Sequence, residues 1–205
     1  MIGKKFSLNY QVIGEFLLQS QLNTTNAFFL EDIYQIPANS IIRFSFSDNI
    51  TKQELMQYWD FPNKESDEKM SNNLMQTVRK KFFDAVNLRL RSDVPVGILL
   101  SGGIDSSSIA SAVKHLNNHD VKLFSAIDNN PQYDESQFID IMANYLKSDV
   151  KKLNLSLDKE NIFTILEELI WFNDQPVASL SNLSHHLLVK IARDSGIKVL
   201  MTGQG

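Results

Sequence analysis

The run Val94-Pro-Val-Gly-Ile-Leu-Leu-Ser-Gly-Gly-Ile-Asp-Ser-Ser-Ser108 sets hydroxyls, two adjacent glycines and an acid where a strand gives way to a helix. Val96 to Leu100 are apolar or small and read as a short buried strand. Ser101, Gly102 and Gly103 follow as a turn that larger side chains would crowd. Asp105 and Ser106 stand at N-cap or first-turn positions of a helix whose apolar face is Ile109, Ala110, Ala112, Val113 and Leu116. Free amides and the positive end of the helix dipole converge there, which makes an anion cradle. No Lys follows the glycines, so this is not the common phosphate loop. Asp105 would repel a bare phosphate, so the loop suits an anion that carries Mg2+. A metal-bound pyrophosphate, the leaving group of an adenylation, has that character. The plainer alternative is a Ser/Gly strand-to-helix turn with no ligand.

The elements that must hold this loop follow an alternating pattern from Ser92 onward. After the loop helix, about Ser106 to Leu116, Val121–Ile127 reads as a strand stopped by Asn129-Asn130-Pro131. Asp134–Leu146 is amphipathic, with Phe138, Ile139, Met142 and Tyr145 or Leu146 on one face. Asp149–Leu155 is a weaker, partly polar strand suited to an edge. Asp158–Phe172 and Ser181–Ser195 are helical, the second ended by Gly196, and Ile197–Met201 is the last strand. Strands separated by crossover helices imply an α/β fold with a doubly wound parallel sheet, helices on both faces, and a site at the strands' carboxyl edge. A long helix from about Asp67 to Leu90, capped by Ser66, precedes this, with Met70, Leu74, Val78, Phe82 and Ala85 or Val86 along one side. Residues 1–60 differ in texture: a helix near Asn9–Gln19, then the alternating Ile42-Arg43-Phe44-Ser45-Phe46. The polar stretch Phe61–Glu68 reads as a linker, which places a boundary near residue 62.

Composition narrows the classes. The chain has 205 residues, 43% of them apolar and 21% charged, ordinary for a globular protein. A net charge of −4 argues against a nucleic-acid surface. With no cysteine there is no disulfide, Cys–zinc site or thiol nucleophile. The sequons at Asn23, Asn49, Asn154 and Asn182 have no export signal with them and read as chance matches. No apolar run of about 18 residues occurs, so no membrane partner and a cytoplasmic location are expected.

Ser101-Gly-Gly-Ile-Asp-Ser-Ser107 resembles the pyrophosphate loop of the ATP pyrophosphatase (PP-loop) families, among them asparagine, GMP, NAD and argininosuccinate synthetases and tRNA-modifying enzymes. Other segments are similar to one of these in order. Ile33-Tyr-Gln-Ile-Pro37, Ser40-Ile-Ile-Arg43 and Tyr58-Trp-Asp60 resemble the end of the glutaminase domain of glutamine-hydrolysing asparagine synthetases. Tyr133-Asp-Glu-Ser136, Asn173-Asp-Gln-Pro176 with Ser179, and Gly196-Ile-Lys-Val-Leu-Met-Thr-Gly-Gln-Gly205 resemble segments of the synthetase domain. Plainer alternatives remain: Asp134-Glu135 also suits a helix N-terminus, and Asp174-Gln175-Pro176 suits a helix-ending turn. Trp59 reads as a packing anchor. His185 and His186 are adjacent on a helix, point in different directions and read as structural.

The resemblance implies an adenine nucleotide alpha-hydrolase-like fold in residues 62–205, preceded in residues 1–61 by the C-terminal remnant of a β-rich Ntn-type glutaminase domain. It also implies a chain truncated at both ends. The implied reaction is ATP-dependent adenylation of an acceptor carboxylate, aspartate in the first instance, with release of pyrophosphate before ammonia from glutamine forms the amide. Ser101, Gly102, Gly103, Ser106 and Ser107 would hold the pyrophosphate. Asp105 would direct Mg2+ and is the candidate catalytic residue. Leu99 and Ala126 or Ile127 would touch the adenosine, and Thr202 and Gly203 the α-phosphate or ribose. Expected partners are ATP, an amino-acid-type carboxylate, ammonia or glutamine, with a homodimer one assembly to consider. Gln204 stands where the family often has Glu, which bears on the acceptor. Related PP-loop ligases with polysaccharide, peptide or β-lactam acceptors, and a nucleotide-binding module without turnover, are the rival readings. Without a thiol, the chain alone is expected to release no glutamate from glutamine.

Overall fold

The computed structural model describes residues 5–22, 24–47, 50–62, 71–117, 121–155, 159–179 and 181–204. Asn23, Asn49, Ser66, Asp67, Met70, Asp158, Gly205 and most of the linker read at 61–68 lie outside them. The chain separates into two compact units, Met1–Lys69 and Met70–Gly205.

The first unit contains helix α1 (Tyr10–Gln19), started by Asn9, whose side chain accepts a hydrogen bond from the Val12 amide at 3.3 Å. Strands β1 (Ser40–Ser47) and β2 (Ile50–Gln57) pair antiparallel from Ser40 opposite Gln57 to Ser47 opposite Ile50. Phe44 and Phe46 stack with centroids 6.5 Å apart, yet both remain at least half exposed. Trp59 is half exposed and meets Phe61 edge-on at 4.6 Å. Among the described residues of this unit, none is fully buried.

The second unit runs α2 (Asn72–Arg89), β3 (Val96–Leu99), α3 (Ile104–Asn117), β4 (Lys122–Ile127), α4 (Ser136–Leu146), β5 (Val150–Asn154), α5 (Lys159–Asn173), α6 (Ser181–Asp194) and β6 (Val199–Met201). Helix α2 starts later than the sequence predicts. Ser71 is extended and its hydroxyl accepts from the Leu74 amide at 3.1 Å, so Ser71 is the cap. The four strands are parallel in the order β5-β4-β3-β6. β5 is the edge strand its polarity suggests.

Side-chain alternation along the strands builds two cores, one on each face. Ile98, Leu100 and Leu123 bury with Val86 of α2, Ala110, Ala112 and Val113 of α3, and Ile139 and Leu146 of α4. Leu99 and Phe124 point the other way, onto Leu188 and Ala192 of α6 and Ile197. Helix α5 joins α6 through Glu168, whose carboxylate lies 2.9 Å from the Lys190 ammonium. The α/β architecture with a parallel sheet flanked on both faces is therefore as expected. Of the residues spaced along one side of α2, Val86 is buried in the core and Val78 is exposed. No helix among the described residues is long and apolar enough to cross a membrane.

Candidate active site at the carboxyl edge of the sheet

Successive strands β3, β4 and β5 step in one direction across the sheet, whereas β6 returns to the opposite side of β3. The strand order thus reverses between β3 and β6, and in open parallel sheets the ligand crevice lies outside the strand ends at such a reversal. The residues after β3 and β6 meet there. A cleft of about 300 Å³ opens between them, within the range of small-molecule sites.

The loop after β3 is braced by its own hydroxyls. Leu100 still pairs with β4, its amide 2.8 Å from the Phe124 carbonyl, while its carbonyl accepts from the buried Ser125 hydroxyl. Ser106 is buried, and its Oγ accepts from the Ser101 amide at 3.2 Å and lies 3.0 Å from the Ser101 Oγ. It donates in turn to the Gly103 carbonyl at 3.2 Å, and the Gly103 amide reaches the Ser101 Oγ at 3.3 Å. Gly102 has φ +81° and lies so close to α4 that a Cβ would stand 2.6 Å from the Phe138 Cβ. Helix α3 begins at Ile104, so its first amides lack carbonyls one turn earlier and its positive end faces the loop.

Of the residues expected to act, Leu99, Ser101, Gly103, Asp105, Ser106, Ala126, Thr202 and Gly203 all line this one cleft. Three do not. Ile127 falls on the other face of β4 and packs against the core formed with α3 and α4, because strand side chains alternate. Ser107 follows Ser106 by about 100° around the helix and lines a separate hollow with Arg79 and Phe83. Gly102 shapes the loop against Phe138 without lining the cleft. Ser106, expected as an anion ligand, spends its hydroxyl on Ser101 and Gly103 and acts as the loop's brace.

The cleft also contains residues that sequence reasoning assigned no role there: Glu135, Ser181, Ser184, His185 and Leu188. Glu135 precedes α4 and makes no side-chain cap bond. Its neighbour Asp134 does that work, accepting from the Ser136 amide at 3.1 Å and the Ser136 hydroxyl at 2.6 Å. Those two hydrogen bonds hold the Asp134 carboxyl below its ordinary range. His185 and His186 diverge as expected. His186 sits 3.6 Å from Glu168 and 6.1 Å from the Phe172 ring, whereas His185 faces the cleft, a position that adjacency alone does not reveal.

The donor set can be tested against Mg2+. Asp105 and Glu135 bring two carboxylates to one cleft. Among the described residues no group of three or more His, Cys, Asp or Glu could hold a metal by itself. A cation here would complete its shell with phosphate oxygens and water, which is how Mg2+ is usually bound beside nucleotides. The residues fit such an ion.

A parallel sheet whose strand order reverses beside a Ser/Gly loop and a helix start places its cleft where α/β nucleotide-binding folds carry theirs. A family model for asparagine synthase matches residues 77–205, and the chain belongs to that family. The amidase chyE of Penicillium rubens is 34% identical over 171 residues, covering 75% of this chain and 25% of that protein. Glutamine-hydrolyzing asparagine synthetase 1 of Bacillus subtilis is 31% identical over 134 residues, covering 65% of this chain and 21% of that protein. The chain thus spans about a quarter of the length of these relatives. An NH3-dependent NAD synthetase from Campylobacter jejuni superposes with a TM-score of 0.40 at 19% identity, over 60% of this chain and 54% of that one.

Proposed function

We propose that the whole protein is an ATP-dependent carbon–nitrogen ligase in which this chain supplies the adenylating site. The observation that carries the reading is the shared cleft of Ser101, Gly103, Asp105, Thr202 and Gly203 at the start of α3. The amides of the loop and of the first turn of α3 would hold the phosphates. Asp105 and Glu135 would hold Mg2+, which neutralises the phosphate charge when bound. An acceptor carboxylate oxygen attacks the α-phosphorus of ATP, the bond from that phosphorus to the bridging oxygen breaks, and pyrophosphate leaves. Ammonia then attacks the acyl carbon and AMP departs with the bonding electrons. Activation is needed because a carboxylate is a poor electrophile. Residues 1–61 would end a glutaminase-type domain, and residues 62–205 would begin the synthetase domain.

Titration calorimetry of the 205-residue chain with MgATP is the direct test. Asp105→Asn should weaken MgATP binding and leave metal-free ATP less affected. Equal affinity in parent and variant would remove Asp105 from the metal site. Aspartate is the first acceptor to try, by pyrophosphate release from the whole gene product. The names of the two relatives above, one an amidase and one an asparagine synthetase, favour keeping a second acceptor class open. Gln204 lines the cleft and is neutral, so Gln204→Glu should alter turnover with aspartate while keeping ATP binding.

A further inference from the structure

Helix α6 presents Ser181, Ser184, His185 and Leu188 to the cleft, the i, i+3, i+4 and i+7 positions of one helical face. Leu188 is buried against Leu99 and Phe124, so this end of the cleft has an apolar floor made by two strands and a helix. Ala126 continues that floor on the same face of β4. The polar loop and the start of α3 lie at the other end. The cleft is therefore divided by chemistry, with backbone amides and acids toward the loop and, toward α6, an apolar surface whose Leu188 shares a helical face with Ser184 and His185.

The two histidines of α6 have separate surroundings. His186 is used in packing, beside Glu168 and the Phe172 ring. Among the described residues, no hydrogen bond or ion pair engages the His185 ring, although it borders the cleft. A neutral imidazole offers one donor and one acceptor. A nucleobase has two apolar faces and a polar edge carrying both donors and acceptors. An apolar floor with an uncommitted imidazole at its rim matches that combination.

We infer that His185, with Ser184 beside it, hydrogen-bonds the edge of the nucleobase while Leu99, Ala126 and Leu188 take its face. This inference rests on the nucleotide reading above and adds a residue that specifies which part of the ligand each end of the cleft binds.

Calorimetry of the 205-residue chain with three ligands, MgATP, AMP and Mg-pyrophosphate, separates the two ends. His185→Ala should lose about five- to tenfold in affinity for MgATP and AMP, the worth of one hydrogen bond, and bind Mg-pyrophosphate as the parent does. His185→Gln retains a donor and an acceptor and should recover most of the loss. Unchanged AMP affinity in His185→Ala would overturn the inference. So would an equal loss for pyrophosphate, which marks a general effect on α6 rather than base contact. A parent chain that binds pyrophosphate but not AMP overturns the inference and spares the loop. A parent that binds none of the three overturns the nucleotide reading and this inference together.

Discussion

Gly203 lies directly on the backbone of Ser106: a Cβ added at Gly203 would stand 2.6 Å from the Ser106 amide nitrogen and 3.1 Å from the Asp105 carbonyl carbon. The neighbour is main chain in the first turn of α3, so it cannot swing aside as a side-chain tip could. This contact fixes the end of β6 against the helix whose amides face the cleft. Gly203→Ala should therefore destabilise the second unit by about 1–3 kcal/mol through overpacking and weaken MgATP binding with it. Urea denaturation and calorimetry on the same preparation check both. An unchanged midpoint together with unchanged affinity would show that the turn yields without cost.

The two glycines of the loop should respond unequally to the same change. Gly102 has φ +81° and lies 2.6 Å from the Phe138 Cβ by its added Cβ, so Gly102→Ala meets both backbone strain and a steric block. Left-handed backbone alone costs a non-glycine residue roughly 1–2 kcal/mol. Gly103 has no such φ, and its nearest neighbour is the Ser101 Oγ at 3.3 Å. Gly103→Ala should cost less than half of what Gly102→Ala costs in a denaturant titration. Equal losses would mean that the pair is constrained by something other than φ and Phe138.

The strand, loop and helix from Val96 to Asn117 were legible because each level agrees: an apolar run, a small-residue turn, then a helical apolar face. The strand parity that separates Ala126 from Ile127 was also present in the sequence. Choosing between them required knowing which face of β4 carries α6, a tertiary fact seen in the Phe124–Leu188 core. Ser66 and Ser71 stand in one polar stretch and offer the same capping chemistry in the sequence, whereas the bond from the Leu74 amide marks Ser71 as the cap of α2. His185 reads as structural in the sequence for a related reason. Adjacency fixes the angle between His185 and His186, but the rotation of α6 over the sheet decides which one meets the cleft. Glu135 was hidden behind a valid capping argument that Asp134 alone satisfies.

That Asp134 cap carries a pH dependence. The Ser136 hydroxyl and then the Ser136 amide hold the carboxyl below its ordinary value, with Lys152 adding a smaller attraction. A group whose folded value lies below its unfolded one stabilises the fold while ionised. That contribution is present above the ordinary carboxylate range and is lost as pH falls through the depressed folded value. Ser136→Ala removes the hydroxyl donor, so the Asp134 carboxyl should titrate nearer its ordinary value, which carboxyl NMR reads directly. The stability gap between parent and variant should be full at neutral pH and shrink in acid, where Asp134 is protonated in both states. A gap of the same size at both pH values would show that Ser136 acts through helix packing alone. Because Asp134 precedes Glu135, the variant should also loosen the approach of that acid to the cleft, seen as weaker MgATP binding at neutral pH.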